Sequence, residues 1–437
     1  SAKIDENVLR GYDPAEDGTA WDMDRIEAEC ASAIEKIRSA ERPVVMAGSG
    51  VRAAGAAEEF GRVAHLLGIP VVTAWTHDTI ASDDPLFCGR PGTIGERAGN
   101  FTVQNSDVLL VLGSRLNIRQ VSYNWNAFAQ HAYKIQVDVD AAELMKPTVR
   151  PDLPIHSDLK VFLAEMARQI ESPAYRPAAA HRPWLEWCRG LRGRYPVVQA
   201  RQRTSRGPVN PYYFAEQLQE CLADDDVVVC GDATACIVTF QTAQIRMGQR
   251  LFSNSGSASM GHDLPAAIGA AVARGGKRVV CLAGDGSIQF NIQELQTIRH
   301  NNLPIKIFVL NNGGYLSIRT TQSTFFRNMV GESPESGVSF PDFARVALAY
   351  EIPSMRIESG ADLEAIRHVL DSPGPMLCEV MLDPKQEFEP RLKSRQLEDG
   401  TMATPALEDM YPFLDRDELA ANLLYEAGAY QSSGAAS

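Results

Sequence analysis

The chain has 437 residues, of which 45% are hydrophobic and 22% are charged, a balance typical of a globular protein with two or three domains. Its formal net charge of −13 argues against nucleic acid or an anionic membrane as a partner. The sequence contains no membrane-length apolar run, no visible signal peptide and no metal-ligand spacing among its eight cysteines, so we expect a reducing, cytoplasmic location.

The first part of the chain alternates between helical and extended patterns. Apolar residues recur on one face of residues 21–40, as in an amphipathic helix. Four apolar runs follow, at 43–51, 70–75, 106–116 and 134–140. This alternation predicts a doubly wound parallel sheet in a middle domain at 21–172. Residues 1–20 lack such a pattern, and we expect them to be a linker from a missing upstream domain.

The glycines at Gly48–Gly50 allow a dinucleotide-binding interpretation. That fingerprint requires a tight GxGxxG and an acid at the end of the next strand, where Trp75 stands. NAD binding is therefore disfavoured. Residues 173–208 are rich in Pro, Ala and Arg, which predicts a linker between domains with a solvated basic face.

A second alternation predicts another parallel-sheet domain at 209–383, so the whole chain is predicted to be an α/β protein of two doubly wound domains. Its centre is Gly284–Asn312, where a buried strand enters a Gly-Asp-Gly turn, a helical pattern follows, and a second strand ends in Asn-Asn. Ligands of such sheets lie at the carboxyl ends of strands. Residues 384–437 are expected to be a surface tail, either disordered or ordered over the site as a lid.

The residue types of this centre suit an anion and a hard metal ion. The glycines of the Gly284–Ser287 turn let the backbone approach an anion, and the helix after it points free N–H groups at that anion. Asp285 and Asn312 offer oxygen ligands suited to Mg²⁺, and Gly314 can turn its carbonyl inward. Ordinary turn chemistry is the alternative interpretation.

The GDG followed by NN resembles the diphosphate- and Mg²⁺-binding motif of thiamine diphosphate enzymes. Its surroundings resemble the acetolactate synthase large-subunit family over residues 21–383. The resemblance implies thiamine diphosphate and Mg²⁺ as cofactors, with Asp285, Asn312 and Gly314 as metal ligands. The residues that it implies for cofactor binding are Thr234, Ala235, Ala258, Met260, Gly284, Asp285, Gly286, Ser287, Asn312, Gly314, Tyr315 and Leu316.

The resemblance also implies residues that act on the reacting groups. Met260 matches the family's Met that wedges under the thiazolium ring and bends the cofactor. Thr321 stands where acetolactate synthases proper carry a Trp, and Gln322 beside it is a polar contact. Arg119 completes this catalytic set as a residue that contacts the substrate carboxylate.

The GSRLNIR stretch matches a family motif whose two arginines, here Arg115 and Arg119, contact FAD or the substrate carboxylate. The family commonly has two Asp between these arginines, whereas this chain has Asn117 and Ile118. FAD is therefore possible but disfavoured. Two exposed loop arginines are the alternative interpretation.

The resemblance implies a carboligase that decarboxylates a 2-oxo acid such as pyruvate and transfers the two-carbon unit to a carbonyl acceptor. In the family, an activating Glu comes from a separate N-terminal pyrimidine-binding domain. We therefore expect a partner polypeptide that carries this domain, or a domain that was removed, and a homo- or hetero-oligomer. The departure at Thr321 leaves open a lyase or decarboxylase on another substrate, or a non-catalytic cofactor-binding subunit.

Overall fold

The computed structural model describes residues 8–13, 18, 20–74, 78–172, 175–204, 206–254, 256–396 and 402–425. Most of the expected linker at 1–20, the residue Trp75 and about a third of the expected tail lie outside these described residues. None of the helices that the structure describes is both long enough and apolar enough to cross a membrane.

The first sheet, within the described residues, has five parallel strands in the order β2-β1-β3-β4-β5. The strands are β1 (Pro43–Ala47), β2 (Val71–Thr73), β3 (Val108–Leu112), β4 (Tyr133–Asp138) and β5 (Leu153–His156). The helices are α1 (Met23–Ser39), α2 (Gly50–Ala53), α3 (Ala57–Leu67), α4 (Arg97–Gln104), α5 (Ile118–Val121), α6 (Ala141–Met145) and α7 (Leu159–Ile170). All residues of β1 and β3 are buried, which explains their continuous apolar runs.

Helices cover both faces of this sheet. Val45 and Ala47 of β1 belong to one apolar cluster with α1, α3 and α7. Val44 and Met46 point to the opposite face, where they share a cluster with Trp184. Trp184 belongs to helix α8 (His181–Arg194), so the stretch expected to be a linker contains a helix that packs on the first sheet.

The second sheet follows the order β10-β11-β9-β8-β6-β7 over the part of the chain that is described, and all its strands are parallel. The strands are β6 (Val227–Cys230), β7 (Arg250–Ser253), β8 (Val279–Gly284), β9 (Ile305–Asn311), β10 (Ser354–Ile357) and β11 (Met376–Met381). The helices are α9 (Pro211–Cys221), α10 (Thr234–Thr242), α11 (Asp263–Ala273), α12 (Glu294–His300), α13 (Leu316–Thr321), α14 (Phe343–Ala349) and α15 (Ala365–Asp371). The predicted fold class, two doubly wound α/β domains, is confirmed.

The segment after the Gly-Asp-Gly turn differs from the expected α-helix. It begins with a 3₁₀ turn, Ser287–Asn291, and α12 starts only at Glu294. The 3₁₀ turn brings two side chains against the backbone of Gly261. Gly261 N donates to the Ser287 Oγ at 2.9 Å, and the Asn291 Nδ2 donates to the Gly261 carbonyl at 2.8 Å.

Among the described residues after Asp383, those from 392 onward pack on the first domain. They include a two-stranded antiparallel ribbon, β12 (Arg395–Gln396) with β13 (Met402–Ala403), and helix α16 (Arg416–Ala421). The Asn100 Nδ2 of α4 donates to the Leu407 carbonyl at 2.8 Å, and Leu419 of α16 is buried. This part of the expected tail is therefore folded.

Buried polar contacts join the two domains. The carboxylate of Asp78, in the first domain, accepts hydrogen bonds from Leu251 N at 2.8 Å and Arg250 Nε at 3.0 Å in the second. The guanidinium of Arg90 donates to the Ala243 carbonyl at 3.2 Å. Asp78 and Arg90 are both nearly inaccessible to solvent, so these contacts fix how the domains meet.

Candidate functional site

A cleft of about 330 Å³ lies at the carboxyl ends of β6, β8 and β9. The strand order reverses between β6 and β8, and such switch points are where open α/β sheets bind ligands. Helix α13 and two residues of the first domain complete the cleft wall. The predicted site residues that line the cleft are Arg119, Thr234, Ala258, Met260, Gly284, Asp285, Gly286, Ser287, Asn312, Gly314, Tyr315 and Leu316.

One end of the cleft holds a desolvated carboxylate and an unsatisfied amide oxygen. The carboxylate of Asp285 accepts from Gly286 N at 2.8 Å and Gly314 N at 3.0 Å, yet burial raises its pKa to about 6. The Asn312 Nδ2 donates to the Thr234 hydroxyl at 3.2 Å, while the Asn312 Oδ1 is buried without a partner among the described residues. A cation bound by both side chains would offset the burial of the Asp285 charge and would give the Asn312 oxygen a partner.

Two glycines at this end leave no room for a side chain. A Cβ at Gly286 would collide with the ring of Tyr315, and a Cβ at Gly314 would collide with the carbonyl of Glu332. Gly314 also has φ +149°, a conformation that L residues rarely adopt. The backbone around the Asp285 carboxylate is therefore packed as tightly as these residue types allow.

The loop between β6 and α10 contains a strained residue. Ala233 has φ 50° and ψ −120° and precedes the first turn of α10. That conformation costs a non-glycine residue on the order of 1–3 kcal/mol, and such residues cluster at functional sites. This conformation directs Thr234 to the Asn312 side chain, so the loop contacts the residue that carries the unsatisfied oxygen.

The Met260 loop is held by a short chain of hydrogen bonds. The Ser287 Oγ accepts from Gly261 N at 2.9 Å and donates to the Asp263 carboxylate at 2.6 Å. Ala258 has φ 51°, and Met260 lines the cleft. Ser287 thus lines the cleft while its hydroxyl holds the loop that carries Met260.

Comparison with known families identifies both domains. Residues 231–380 match the family described as "Thiamine pyrophosphate enzyme, C-terminal TPP binding domain". Residues 30–166 match "Thiamine pyrophosphate enzyme, central domain". The chain belongs to the thiamine pyrophosphate enzymes. The family resemblance predicted from the Gly-Asp-Gly and Asn-Asn motifs is confirmed.

Acetolactate synthases are among the relatives of this thiamine pyrophosphate enzyme. Acetolactate synthase 1, chloroplastic, from Zea mays is 31% identical over 365 residues, which cover 82% of this chain and 56% of the relative. The probable acetolactate synthase large subunit from Methanococcus aeolicus is 30% identical over 398 residues, covering 86% of this chain and 63% of the relative. The chain thus spans little more than half the length of these curated relatives.

Four predicted residues of this thiamine pyrophosphate enzyme do not line the cleft. Ala235 is buried within α10, and the Thr321 hydroxyl donates back into its own helix. Both amide atoms of Gln322 bond to the Val330 backbone, at 2.9 and 3.0 Å. The exposed Arg115 guanidinium lies 3.6 Å from the Glu143 carboxylate.

The structure also adds two carboxylates that the sequence analysis missed. Asp232 lines the cleft, and burial together with the charge of Asp263 raises its pKa to about 6. Asp263 is fully buried behind it, and burial raises the pKa of this carboxyl as well. In the sequence, Asp232 reads as a turn residue and Asp263 as an acid in the first turn of a helix. Only tertiary contacts reveal their burial.

Within the described residues, no three His, Cys, Asp or Glu side chains are grouped as a metal site would require. The candidate metal ligands at the Asn312 end of the cleft include one carboxylate, that of Asp285. The remaining ligands would be the Asn312 amide oxygen, a backbone carbonyl and oxygens of the cofactor. That donor set suits Mg²⁺, which favours oxygen and commonly binds through one carboxylate plus phosphates.

Proposed function

We propose that this cleft holds thiamine diphosphate and Mg²⁺ for a carboligation of the acetolactate synthase type. The enzyme decarboxylates a 2-oxo acid such as pyruvate and transfers its two-carbon unit to a carbonyl acceptor. The observation that carries the proposal is the unsatisfied Asn312 oxygen in the same cleft as the desolvated Asp285 carboxylate. Both fall in the Gly-Asp-Gly and Asn-Asn motif of a thiamine pyrophosphate enzyme.

In this proposal, the end of the cleft that contains Asp285 and Asn312, called the metal end, binds and orients the cofactor. Asp285, Asn312 and the carbonyl of Gly314 are the metal ligands. The Ser287 amide and the first-turn amides of α10 face the diphosphate, because helix N-termini leave such donors unpaired. The tight packing around Gly286 and Gly314 keeps these groups in place before the cofactor binds.

The middle of the cleft positions the reacting groups. Met260 supports the cofactor rings, and the backbone of Ala258 faces the aminopyrimidine. Thiamine diphosphate, when bound, supplies the nucleophilic carbon that attacks the 2-oxo acid. The guanidinium of Arg119 binds the substrate carboxylate, while Leu316 and Ile94 form apolar walls that exclude water.

The proposed enzyme is completed by a pyrimidine-binding domain. The family activates its cofactor with a Glu from that domain, and the relatives extend well beyond the part that this chain matches. We therefore place the activating Glu on that domain, whether it is a separate polypeptide or a removed part of the same protein, within a homo- or hetero-oligomer. FAD is left out of the proposal, because Asn117 and Ile118 replace the two usual acids and Arg115 is paired with Glu143.

The cysteines suit a reducing compartment such as the cytoplasm. All eight are free thiols, and every one except Cys221 is buried. Burial raises the pKa of several of them, among which Cys30 and Cys378 reach about 12. Such thiols stay protonated and unreactive at neutral pH.

Cofactor binding tests the first half of the proposal. Thiamine diphosphate binding to the purified protein, measured by calorimetry with and without Mg²⁺, should require the metal. Asp285→Asn and Asn312→Leu should each weaken binding by tenfold or more, because each removes one oxygen ligand. Asp225→Asn is the matched control, since Asp225 forms an exposed ion pair with Lys277 far from the cleft. Equal binding by all variants, or binding that survives removal of Mg²⁺, contradicts the proposal.

Products from pyruvate test the second half. The protein assembled with its pyrimidine-binding partner should release CO₂ and form acetolactate. Release of CO₂ without acetolactate would indicate a decarboxylase of pyruvate. Turnover of a different acid but not of pyruvate would favour the second candidate, a thiamine diphosphate lyase or decarboxylase on another substrate. The observation that favours this candidate is Asp232, a carboxylate in the cleft that the acetolactate synthase reaction does not call for. Bound cofactor without any turnover by the assembled protein would indicate a non-catalytic subunit.

A further inference from the structure

Two residues of opposite charge line the cleft without forming an ion pair with each other. Asp232 follows β6 in the second domain, and Arg119 belongs to α5 of the first domain. Within the part of the chain that the structure describes, neither side chain has a hydrogen bond or an ion pair, and the two do not pair with each other. A gap therefore separates an unpaired carboxylate from an unpaired guanidinium.

The surroundings of Asp232 make it a fixed and partly desolvated charge. It lies between the end of β6 and the strained Ala233, so its backbone has little freedom. The buried carboxyl of Asp263 lies behind it, and the thiol of Cys236 is within the electrostatic influence of both Asp232 and Arg119. No described cation offsets the Asp232 charge from the protein side.

The cofactor ligation proposed above leaves Asp232 unused. A carboxylate is unsuited to a diphosphate, which needs donors and positive charge. Asp232 is also not among the proposed metal ligands, because Asp285 and Asn312 supply the side-chain oxygens at the metal end. A half-buried carboxylate without a hydrogen-bond partner lowers the stability of the protein. A ligand that donates a hydrogen bond to this carboxylate would therefore gain binding free energy.

We infer that Arg119 and Asp232 together select a hydroxylated 2-oxo acid. Arg119 binds the carboxylate of the acid, and Asp232 accepts a hydrogen bond from a hydroxyl group on its carbon chain. An unsubstituted alkyl 2-oxo acid leaves Asp232 desolvated without a donor, and an acid with a second negative charge is repelled by it. This inference rests on the proposed function and deepens it, since a hydroxylated acid replaces pyruvate, an unsubstituted alkyl 2-oxo acid, as the preferred donor of that reaction.

Two acids of equal size test the inference. Hydroxypyruvate and 2-oxobutyrate differ in that a hydroxyl replaces a methyl group. Their dissociation constants are measured by calorimetry on the protein loaded with Mg²⁺ and thiamine diphosphate. Hydroxypyruvate should bind about 10- to 100-fold more tightly, as expected for a hydrogen bond to a charged group. Asp232→Leu should abolish this preference, and the surface control Asp225→Leu should keep it.

Arg119→Met separates the two ends of the substrate. This substitution should weaken the binding of both acids by a similar factor, because both carry the carboxylate. Equal binding of the two acids to the unmodified protein, or binding of neither, overturns the inference. So does an Asp232→Leu variant that loses thiamine diphosphate affinity in parallel with both acids, because Asp232 would then face the cofactor.

Failure of the proposed function remains distinguishable from failure of this inference. If thiamine diphosphate does not bind, the proposed function fails, and the comparison of the two acids is then made on the protein with Mg²⁺ alone. If the cofactor binds and the acids are not discriminated, only the inference fails. Turnover by the assembled enzyme gives a second reading, since the ratio of kcat/KM for the two acids should follow the ratio of their affinities.

Discussion

Ala233 shows how single residues of this cleft store strain. Its φ of 50° and ψ of −120° suit glycine, yet the residue is alanine. Its neighbours are Asp232, which we assign to the substrate, and Thr234, which bonds to Asn312 at the metal end. The strained peptide therefore fixes the relative position of a substrate contact and a cofactor contact.

Relief of this strain should stabilise the protein and loosen the site. Ala233→Gly should raise the free energy of unfolding by about 1 kcal/mol, since lost strain outweighs the added freedom of the unfolded chain. Urea denaturation measures this change. Thiamine diphosphate affinity should fall at the same time, because the loop is less well ordered before binding. Ala129→Gly is the control, as Ala129 has φ 42° but does not line the cleft. A loss of stability in Ala233→Gly contradicts this account.

The proposed preference for hydroxylated acids should depend on pH. Burial and the charge of Asp263 raise the pKa of Asp232 to about 6. The charges of Asp232 and Arg119 both act on the buried Cys236 thiol. Above this pKa the carboxylate accepts the substrate hydroxyl strongly, and below it a proton competes for the same oxygens. The ratio of the two dissociation constants should therefore fall by about tenfold as the pH drops from 7.5 to 5. In Asp232→Leu, the ratio should not change with pH.

At the scale of the elements, the segment that follows β9 folds back on itself. Helix α13 continues into a π-helical turn, Gln322–Phe326, and Arg327 then reverses the chain with φ 52°. Both amide atoms of Gln322 hold the backbone of Val330. This two-point contact ties the end of the helix to the loop beyond it, so Gln322 has a structural task outside the cleft.

Loss of this contact should free the loop without altering the cofactor site. Gln322→Ala should increase amide hydrogen exchange in residues 322–331, because two hydrogen bonds that close the loop disappear. Thiamine diphosphate affinity should stay within about twofold. Thr321→Ala is the neighbouring control, since its hydroxyl bonds only within α13. Unchanged exchange would contradict this structural role, and a large loss of cofactor affinity would support the predicted role of Gln322 at the site.

Much of the architecture could be predicted from periodicity and turn chemistry. The long buried strands, such as β8 and β9, read as apolar runs, and the Gly-Asp-Gly and Asn-Asn ends located the cleft. The short strands β5, β7 and β10 were not predicted, because exposed and polar residues interrupt them. Asp232 was missed for a similar reason, since its burial and its unpaired charge result from residues distant in the chain.

In the whole molecule, the domain interface carries an ionic cluster around one buried carboxylate, with both arginine side chains partly exposed. The carboxylate of Asp78 lies 2.9 Å from the Arg52 guanidinium of its own domain and 3.0 Å from that of Arg250 in the other. It also accepts from Leu251 N. Removal of the one negative member would leave two guanidinium groups and an amide without their shared acceptor.

Asp78→Ala should therefore uncouple the domains. We expect a loss of about 2–3 kcal/mol of stability, because a buried acceptor is removed while its donors remain. Differential scanning calorimetry should show one transition for the unmodified protein and two for the variant, as each sheet has its own apolar core. Glu143→Ala, which removes the partly buried partner of the exposed Arg115, is the control. A single transition at the original temperature in Asp78→Ala would contradict this role.

The two charges that face the cleft come from different domains, Arg119 from the first and Asp232 from the second. Neither residue alone determines how far apart they stand. The polar contacts at the domain interface determine that separation, and with it the length of carbon chain that can join a carboxylate to a hydroxyl. Under the substrate class that we infer, chain-length selectivity is thus a property of the domain interface. Substitutions at buried interface positions such as Arg90 should shift it without changing any residue that touches the substrate.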